Sequence, residues 1–149
     1  MLGELTPVQI DDLLRSQLVG RIGYHSDGVT YVVPLNYLYN GTDILAHSGK
    51  GQKVSMMRKN PEVCFEVDEI KSVVNWQSVI IWGRFEEITD VDDQQQALQQ
   101  LIDRVVPFLT DAGHPSHGIT ENNYDIGSEV ELVVYKIVIT KKTGRFESH

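Results

Sequence analysis

LVGRIGYHSDGVTYVVPLNYLYNG, residues 18–41, is where the fold is decided. Two runs, LVGRIGYHS and VTYVVPLNYLY, flank Asp27-Gly28. Asp-Gly accepts the positive φ angles of a two-residue turn, so the pattern predicts a β-hairpin. Pro34, inside the second run, has no N–H for a ladder, so that strand has an edge or a bulge there. Asn40-Gly41 predicts a second turn, and DILAHS (43–48) a third strand.

Outward on the N-terminal side, Thr6-Pro7-Val8-Gln9 is a helix start. Thr6 can cap, Pro7 suits the first helical position, and Gln9 can close a capping box. Ile10, Leu13 and Leu14 make one apolar face, and the helix should stop near Ser16. On the C-terminal side, HSGKGQK (47–53) leads into VSMMRKN, a short helix ended by Asn60-Pro61. EVCFEVDE (62–69) alternates, with Val63, Phe65 and Val67 on one face. NWQSVIIWGRFEEI (75–88) is a long strand whose middle, Val79 to Trp82, is apolar on both faces. Such a strand is covered on both sides. In a small barrel the core covers one face, and a second subunit is the natural cover for the other. Asp90 to Val106 reads as a helix with Leu98, Leu101, Ile102 and Val105 on one face, ended by Pro107. Residues 110–128 read as a loop, and Glu129 to Thr140 as a last strand before KKTGRFESH. With hairpins dominating this order, a mostly antiparallel barrel carrying a few helices is expected.

The chain has 149 residues, one domain's worth, with a formal charge of −8. That charge argues against a general nucleic-acid binder, which neutralises phosphates with Lys and Arg. Cys64 is the one cysteine, so no internal disulfide is possible, and a reducing, cytoplasmic setting is expected. The N-terminus lacks a basic region followed by an apolar run, and no stretch approaches the roughly 20 apolar residues of a membrane span.

HSGKGQK stands out in this acidic chain. Its glycines let backbone N–H groups turn toward a ligand, it sits at a helix start, and Lys50 and Lys53 add positive charge. A phosphate is the natural guest; a flexible, solvated loop is the bland alternative. It is not a nucleoside-triphosphate P-loop, because Gly49-Lys50 is followed by Gly51 rather than Ser or Thr. His114 and His117 lack a Cys or carboxylate at ligand spacing, so no metal site is expected. Cys64, beside core positions, reads as a structural thiol. Trp76 and Trp82 read as core or interface side chains, or alternatively as cofactor contacts. No nucleophile elbow and no convincing Ser/His/Asp set is present.

LVGRIGYHSDGVTYVVPLNYLYNG, ILAHSGKGQKVSMMRKNPEVCFEVDE, WQSVIIWGRFEEI and the ending VYKIVITKKTGRFE together resemble the FMN-binding split-barrel proteins related to pyridoxamine 5′-phosphate oxidase. The set is most similar to their flavin-nucleotide-binding branch, which includes the Nim nitroimidazole-resistance proteins. The resemblance implies a six-stranded antiparallel split β-barrel, Greek-key in type, with flanking helices. It implies a homodimer with FMN in a groove between the subunits. It places Val33, Pro34, Leu35 and Asn36 beside the flavin ring, and His47, Ser48, Gly51 and Lys53 at the phosphate, and the charge pattern of HSGKGQK puts Lys50 at the rim of that site. It places Trp76, Gln77 and Ser78 near the ring or ribityl chain. Arg145, in Thr143-Gly144-Arg145, stands where the family more often has Lys. Gln52 stands where the oxidase itself carries an arginine, and the oxidase's arginine-rich C-terminal substrate site is missing. The resemblance therefore implies flavin binding rather than vitamin B6 oxidation. The expected function is an FMN-dependent oxidoreductase acting on a small molecule such as a nitroaromatic or a quinone. The alternative is a flavin or haem binder that carries or senses without turnover.

Overall fold

The computed structural model describes residues 1–109 and 131–149. The predicted hairpin forms as β2 (Val19–Ser26) and β3 (Val29–Asn36), in register from Val19 opposite Asn36 to Ser26 opposite Val29. Asp27 and Gly28 take φ of 54° and 79° at its turn, which Gly and Asp accept at low cost. Before the hairpin, α1 (Pro7–Ser16) starts in a capping box. Thr6 Oγ1 accepts from the Gln9 N–H at 3.2 Å, and Gln9 Oε1 accepts from the Thr6 N–H at 2.9 Å. Losing such a cap costs about 1 kcal/mol.

After the hairpin come β5 (Asp43–Gly49), α2 (Gln52–Lys59), β6 (Glu62–Ser72), β7 (Asn75–Glu87), α3 (Val91–Val105) and β8 (Leu132–Glu147). Two short strands complete the set, β1 (Leu2–Glu4) and β4 (Leu38–Tyr39). The sheet order is β3-β2-β6-β7-β8-β5-β4, with β1 added beside β8, and every pairing is antiparallel. The six long strands make the expected split barrel, and β3 stands at one end of the order, where Pro34 needs no ladder donor.

The barrel interior holds Ile22, Phe65, Val67, Val79, Ile81, Tyr135 and Ile137, all fully buried. α1 closes it with Leu13 and Leu14, and α2 with Val54 and Met57. Each such side chain contributes about 1.5–3 kcal/mol on leaving water. Outside the barrel, α3 lays Ala97 and Leu101 on Leu45 and Val134. Leu98 and Ile102, expected on that buried face, are half-buried, and Ala97 takes the central place.

The last strand differs from expectation. Leu132 to Glu147 is one strand, so KKTGRFE is not a tail. A register shift at Trp82/Gly83 absorbs the bend, and residues 141–147 pair with Trp76 to Trp82. The polar, Gly-containing composition there conceals a ladder that β7 supplies on one side and β1 on the other. On β7, Val79 and Ile81 face the core, while Ile80 and Trp82 are 38% and 40% exposed on the other face. The expected loop over 110–128, with His114 and His117, lies outside the described residues.

Candidate functional site

The corner between β5 and α2 carries HSGKGQK. Successive side chains of a strand point to opposite faces. Ala46 belongs to the barrel core and Leu45 to the cluster under α3. The pleat therefore turns Ser48 to the barrel side and His47 to the α3 side, separating two residues that adjoin in sequence. Both are buried. Ser48 Oγ lies 3.2 Å from the Tyr135 hydroxyl and accepts from Lys53 Nζ at 3.2 Å. Burial pushes the Tyr135 phenol up to about 12, so it stays a neutral hydrogen-bonding group near neutral pH.

Lys53 is half-buried, and burial lowers its pKa because the ammonium loses water. Among the described residues no carboxylate lies within ion-pairing distance of it, and Ser48 is its hydrogen-bond partner. Lys50, by contrast, is exposed and pairs with Glu131 at 3.4 Å. Gly51 is the N-cap of α2 and provides no side-chain cap. A Cβ built on Gly51 would meet nothing within 4 Å, so the space before the helix start is open. Uncapped N–H groups, the positive end of a helix dipole and a desolvated ammonium are the kind of donors that an anion takes.

β3 runs beside this corner. Tyr31 OH accepts from Gln52 Nε2 at 3.2 Å, tying the strand to the first residue of α2. Val33 and Asn36 are half-buried, Pro34 is exposed, and Leu35 is buried in the core. As a terminal strand, β3 keeps one row of backbone N–H and C=O groups outside the sheet ladder.

Trp76, Gln77, Ser78 and Arg145 gather elsewhere, at the far end of the β7–β8 ladder. Ser78 and Arg145 are cross-strand partners. Trp76 Nε1 donates to Glu147 at 3.2 Å, Gln77 Nε2 to Glu69 at 3.2 Å, and Ser78 Oγ to Glu66 at 2.9 Å. Arg21 bridges Glu66 (3.2 Å) and Asp68 (3.0 Å) beside them. The Glu66 carboxyl is held above the usual range by desolvation and then by its hydrogen bond with Asp68. β8 pairs Ser48 through Val133 and Ser78 through Arg145. Twelve residues at about 3.3 Å each separate these two points by about 40 Å along the strand. One chain thus brings Ser48, Gly51 and Lys53 together, with β3 adjoining, and holds Trp76, Gln77, Ser78 and Arg145 apart from them.

Tyr31 and Tyr135 join the site without having been anticipated. Tyr135 meets Ser48 across 87 positions, and no local pattern marks that pairing. Among the described residues there is no group of three or more His, Cys, Asp or Glu placed to hold a metal, and no helix is long and apolar enough to cross a membrane.

Residues 7–146 match the model of a family described as pyridoxamine 5′-phosphate oxidase. An uncharacterised protein of Rhizobium meliloti is 34% identical over 70 residues, which cover 47% of this chain and 46% of the relative, so the match spans about half the relative's length. A FAD-binding protein from Mesorhizobium loti has the same fold, with a TM-score of 0.78, 27% identity and 99% of each chain covered. A candidate 5-nitroimidazole antibiotic resistance protein from Bacteroides thetaiotaomicron superposes with a TM-score of 0.72 at 20% identity, over 98% of this chain and 87% of that one, a likeness of fold.

Proposed function

This chain belongs to the pyridoxamine 5′-phosphate oxidase family, and from that premise we propose that it is a homodimeric oxidoreductase that binds a flavin through its FMN moiety. The observation that carries the reading is Lys53, a half-buried cation turned to Ser48 at an uncapped helix start. The residues fit a phosphate. Backbone N–H groups from Gly51 onward and the Ser48 hydroxyl supply neutral donors. Lys53 supplies the charge, and Lys50 stands at the rim. Val33 and Pro34 offer apolar contact to the ring, and the outer backbone groups of β3 offer hydrogen bonds to its polar edge. Leu35 and Asn36 contribute through their backbone on the same strand.

The second cluster supports a shared site. Trp76, Gln77, Ser78 and Arg145 lie at the other end of β8 from the point where Ser48 pairs with it. A second copy laid on the Ile80 and Trp82 face brings its own set toward the first copy's corner and removes those exposed side chains from water. Flavin supplies hydride and electron transfer when bound, and the protein supplies orientation and electrostatics. No catalytic triad is needed, which accords with its absence from the sequence. Nitroaromatics and quinones, flat acceptors able to lie on a flavin face, are the proposed substrate class.

An absorption spectrum of the purified protein, before and after NADPH without air, tests this. A flavin spectrum that bleaches and recovers on adding a nitroaromatic or a quinone is the expected result. A colourless protein that takes up no added flavin overturns the reading. A flavin spectrum that resists both NADPH and NADH reduces it to a carrier.

A further inference from the structure

The Ser48 hydroxyl sits between two partners, and counting its bonds fixes its role. A serine hydroxyl has one proton to donate and two lone pairs with which to accept. One lone pair accepts from Lys53 Nζ at 3.2 Å. The other contact is with the Tyr135 hydroxyl, also at 3.2 Å, where either oxygen could donate. Tyr135 decides the direction. It is fully buried, and its ring lies against Phe85 with centroids 5.0 Å apart. Burial also keeps its phenol protonated near neutral pH. Among the described residues, Ser48 is the only hydrogen-bond partner of that phenol. A proton donated by Ser48 to Tyr135 would leave the Tyr135 O–H buried with no acceptor, which costs the full desolvation of that group. Tyr135 therefore donates and Ser48 accepts. Both lone pairs of Ser48 are then filled. Its own proton is left over, and no acceptor among the described residues takes it.

Sheet register makes this arrangement. β5 and β8 pair Ser48 with Val133 and Ala46 with Tyr135. Ser48 and Tyr135 are thus diagonal neighbours on one face, at a spacing an aromatic side chain spans. Tyr135 belongs to the same core cluster as Val54 and Met57 of α2, so its hydroxyl is held by the packed barrel interior.

We propose that Tyr135 is a positioning residue for the phosphate corner: its buried O–H fills the second lone pair of Ser48 and commits the Ser48 hydroxyl to donate to the bound anion. The inference rests on the flavin reading above and adds to it a residue that touches no ligand. With Ser48 committed, the Lys53 ammonium, the Ser48 O–H and the first N–H groups of α2 are all donors. Such a set suits an anion whose oxygens only accept, as those of a phosphate dianion do.

The test titrates the flavin-free full-length protein with FMN and with riboflavin, followed by flavin fluorescence, in the parent, Tyr135→Phe, Ser48→Ala and the double variant. Tyr135→Phe keeps the ring against Phe85 and removes only the hydroxyl. Its affinity for FMN should fall roughly threefold to tenfold, the range of one neutral hydrogen bond, and its affinity for riboflavin should stay as it was. Ser48→Ala should lose at least as much FMN affinity. Adding Tyr135→Phe to Ser48→Ala should change FMN affinity no further, because Tyr135 acts through Ser48. A Tyr135→Phe protein that binds FMN as the parent does, or that loses FMN and riboflavin alike, overturns the assignment. That comparison needs no Ser48 variant. Losses that add in the double variant overturn it as well. A parent protein that binds FMN no better than riboflavin overturns the phosphate reading itself, which keeps the two failures distinct.

Discussion

At Lys53, one side chain couples stability to binding. Burial without an acidic partner disfavours its charged form, and its pKa falls below the ordinary lysine value of 10.5. The sign follows. Below the lowered pKa, both the folded and the unfolded chain carry the proton. Between it and 10.5 the unfolded chain binds more protons, so the ligand-free protein gains stability as pH rises through that window. Lys53→Met should remove that contribution, read as a difference in melting temperature between variant and parent that changes across this alkaline range. In the proposed site a bound phosphate would supply the counter-charge that no carboxylate among the described residues provides. A charge-assisted hydrogen bond contributes about 1.5–3 kcal/mol. Lys53→Ala should therefore weaken FMN binding roughly tenfold to a hundredfold, at 1.4 kcal/mol per tenfold. Riboflavin, which lacks the phosphate, should bind as before. Equal losses for FMN and riboflavin would remove Lys53 from the phosphate site. The corner formed by HSGKGQK was legible because glycines, lysines and a helix start lie together in seven residues. The partners Ser48 shares with Lys53 and Tyr135 were not, since Tyr135 comes from another strand.

Among the elements, β7 and β8 carry the two things that local pattern conceals. One is the length of β8, which runs to Glu147 because β7 pairs with residues 141–147. The other is the register shift at Trp82/Gly83 that keeps this long ladder closed. Gly83 sits where a Cβ would run into the Val138 carbonyl oxygen and crowd Ile137 Cγ2 at 2.8 Å. Backbone cannot yield there as a flexible side-chain tip can. Gly83→Ala should cost about 1–3 kcal/mol, the range for overpacking a close contact. Urea denaturation should show a lower midpoint with an unchanged slope. A variant as stable as the parent would mean that the ladder relaxes freely at this point. The hairpin of β2 and β3, α1 and its capping box, and α2 with its stop before Pro61 needed no such outside partner, and their signals were local.

For the whole molecule, the exposed face of β7 and the divided site lead to one expectation. Ile80 and Trp82 are 38% and 40% exposed in the single chain, whereas their neighbours Val79 and Ile81 are fully buried. Light scattering at micromolar concentration should give twice the 16.8 kDa chain mass. Ile80→Asp places a charge on that face without entering the core. It should yield a folded monomer that no longer retains flavin, and a monomer that keeps its flavin would confine the site to one chain. The amino-acid order by itself determined the succession of the long strands and the three helices, the two turns and the core faces of α1 and β6, but not the short strands β1 and β4, the latter read as the end of one strand with β3. Turn chemistry, capping and side-chain alternation act between neighbours and leave a periodic trace. The tertiary structure alone decided that β8 continues through KKTGRFE, that Tyr135 and Lys53 converge on Ser48, and that Arg145 and Ser78 lie about 40 Å along the strand from that point. Those contacts join residues from different strands and helices, and such partners are selected by the closure of the sheet.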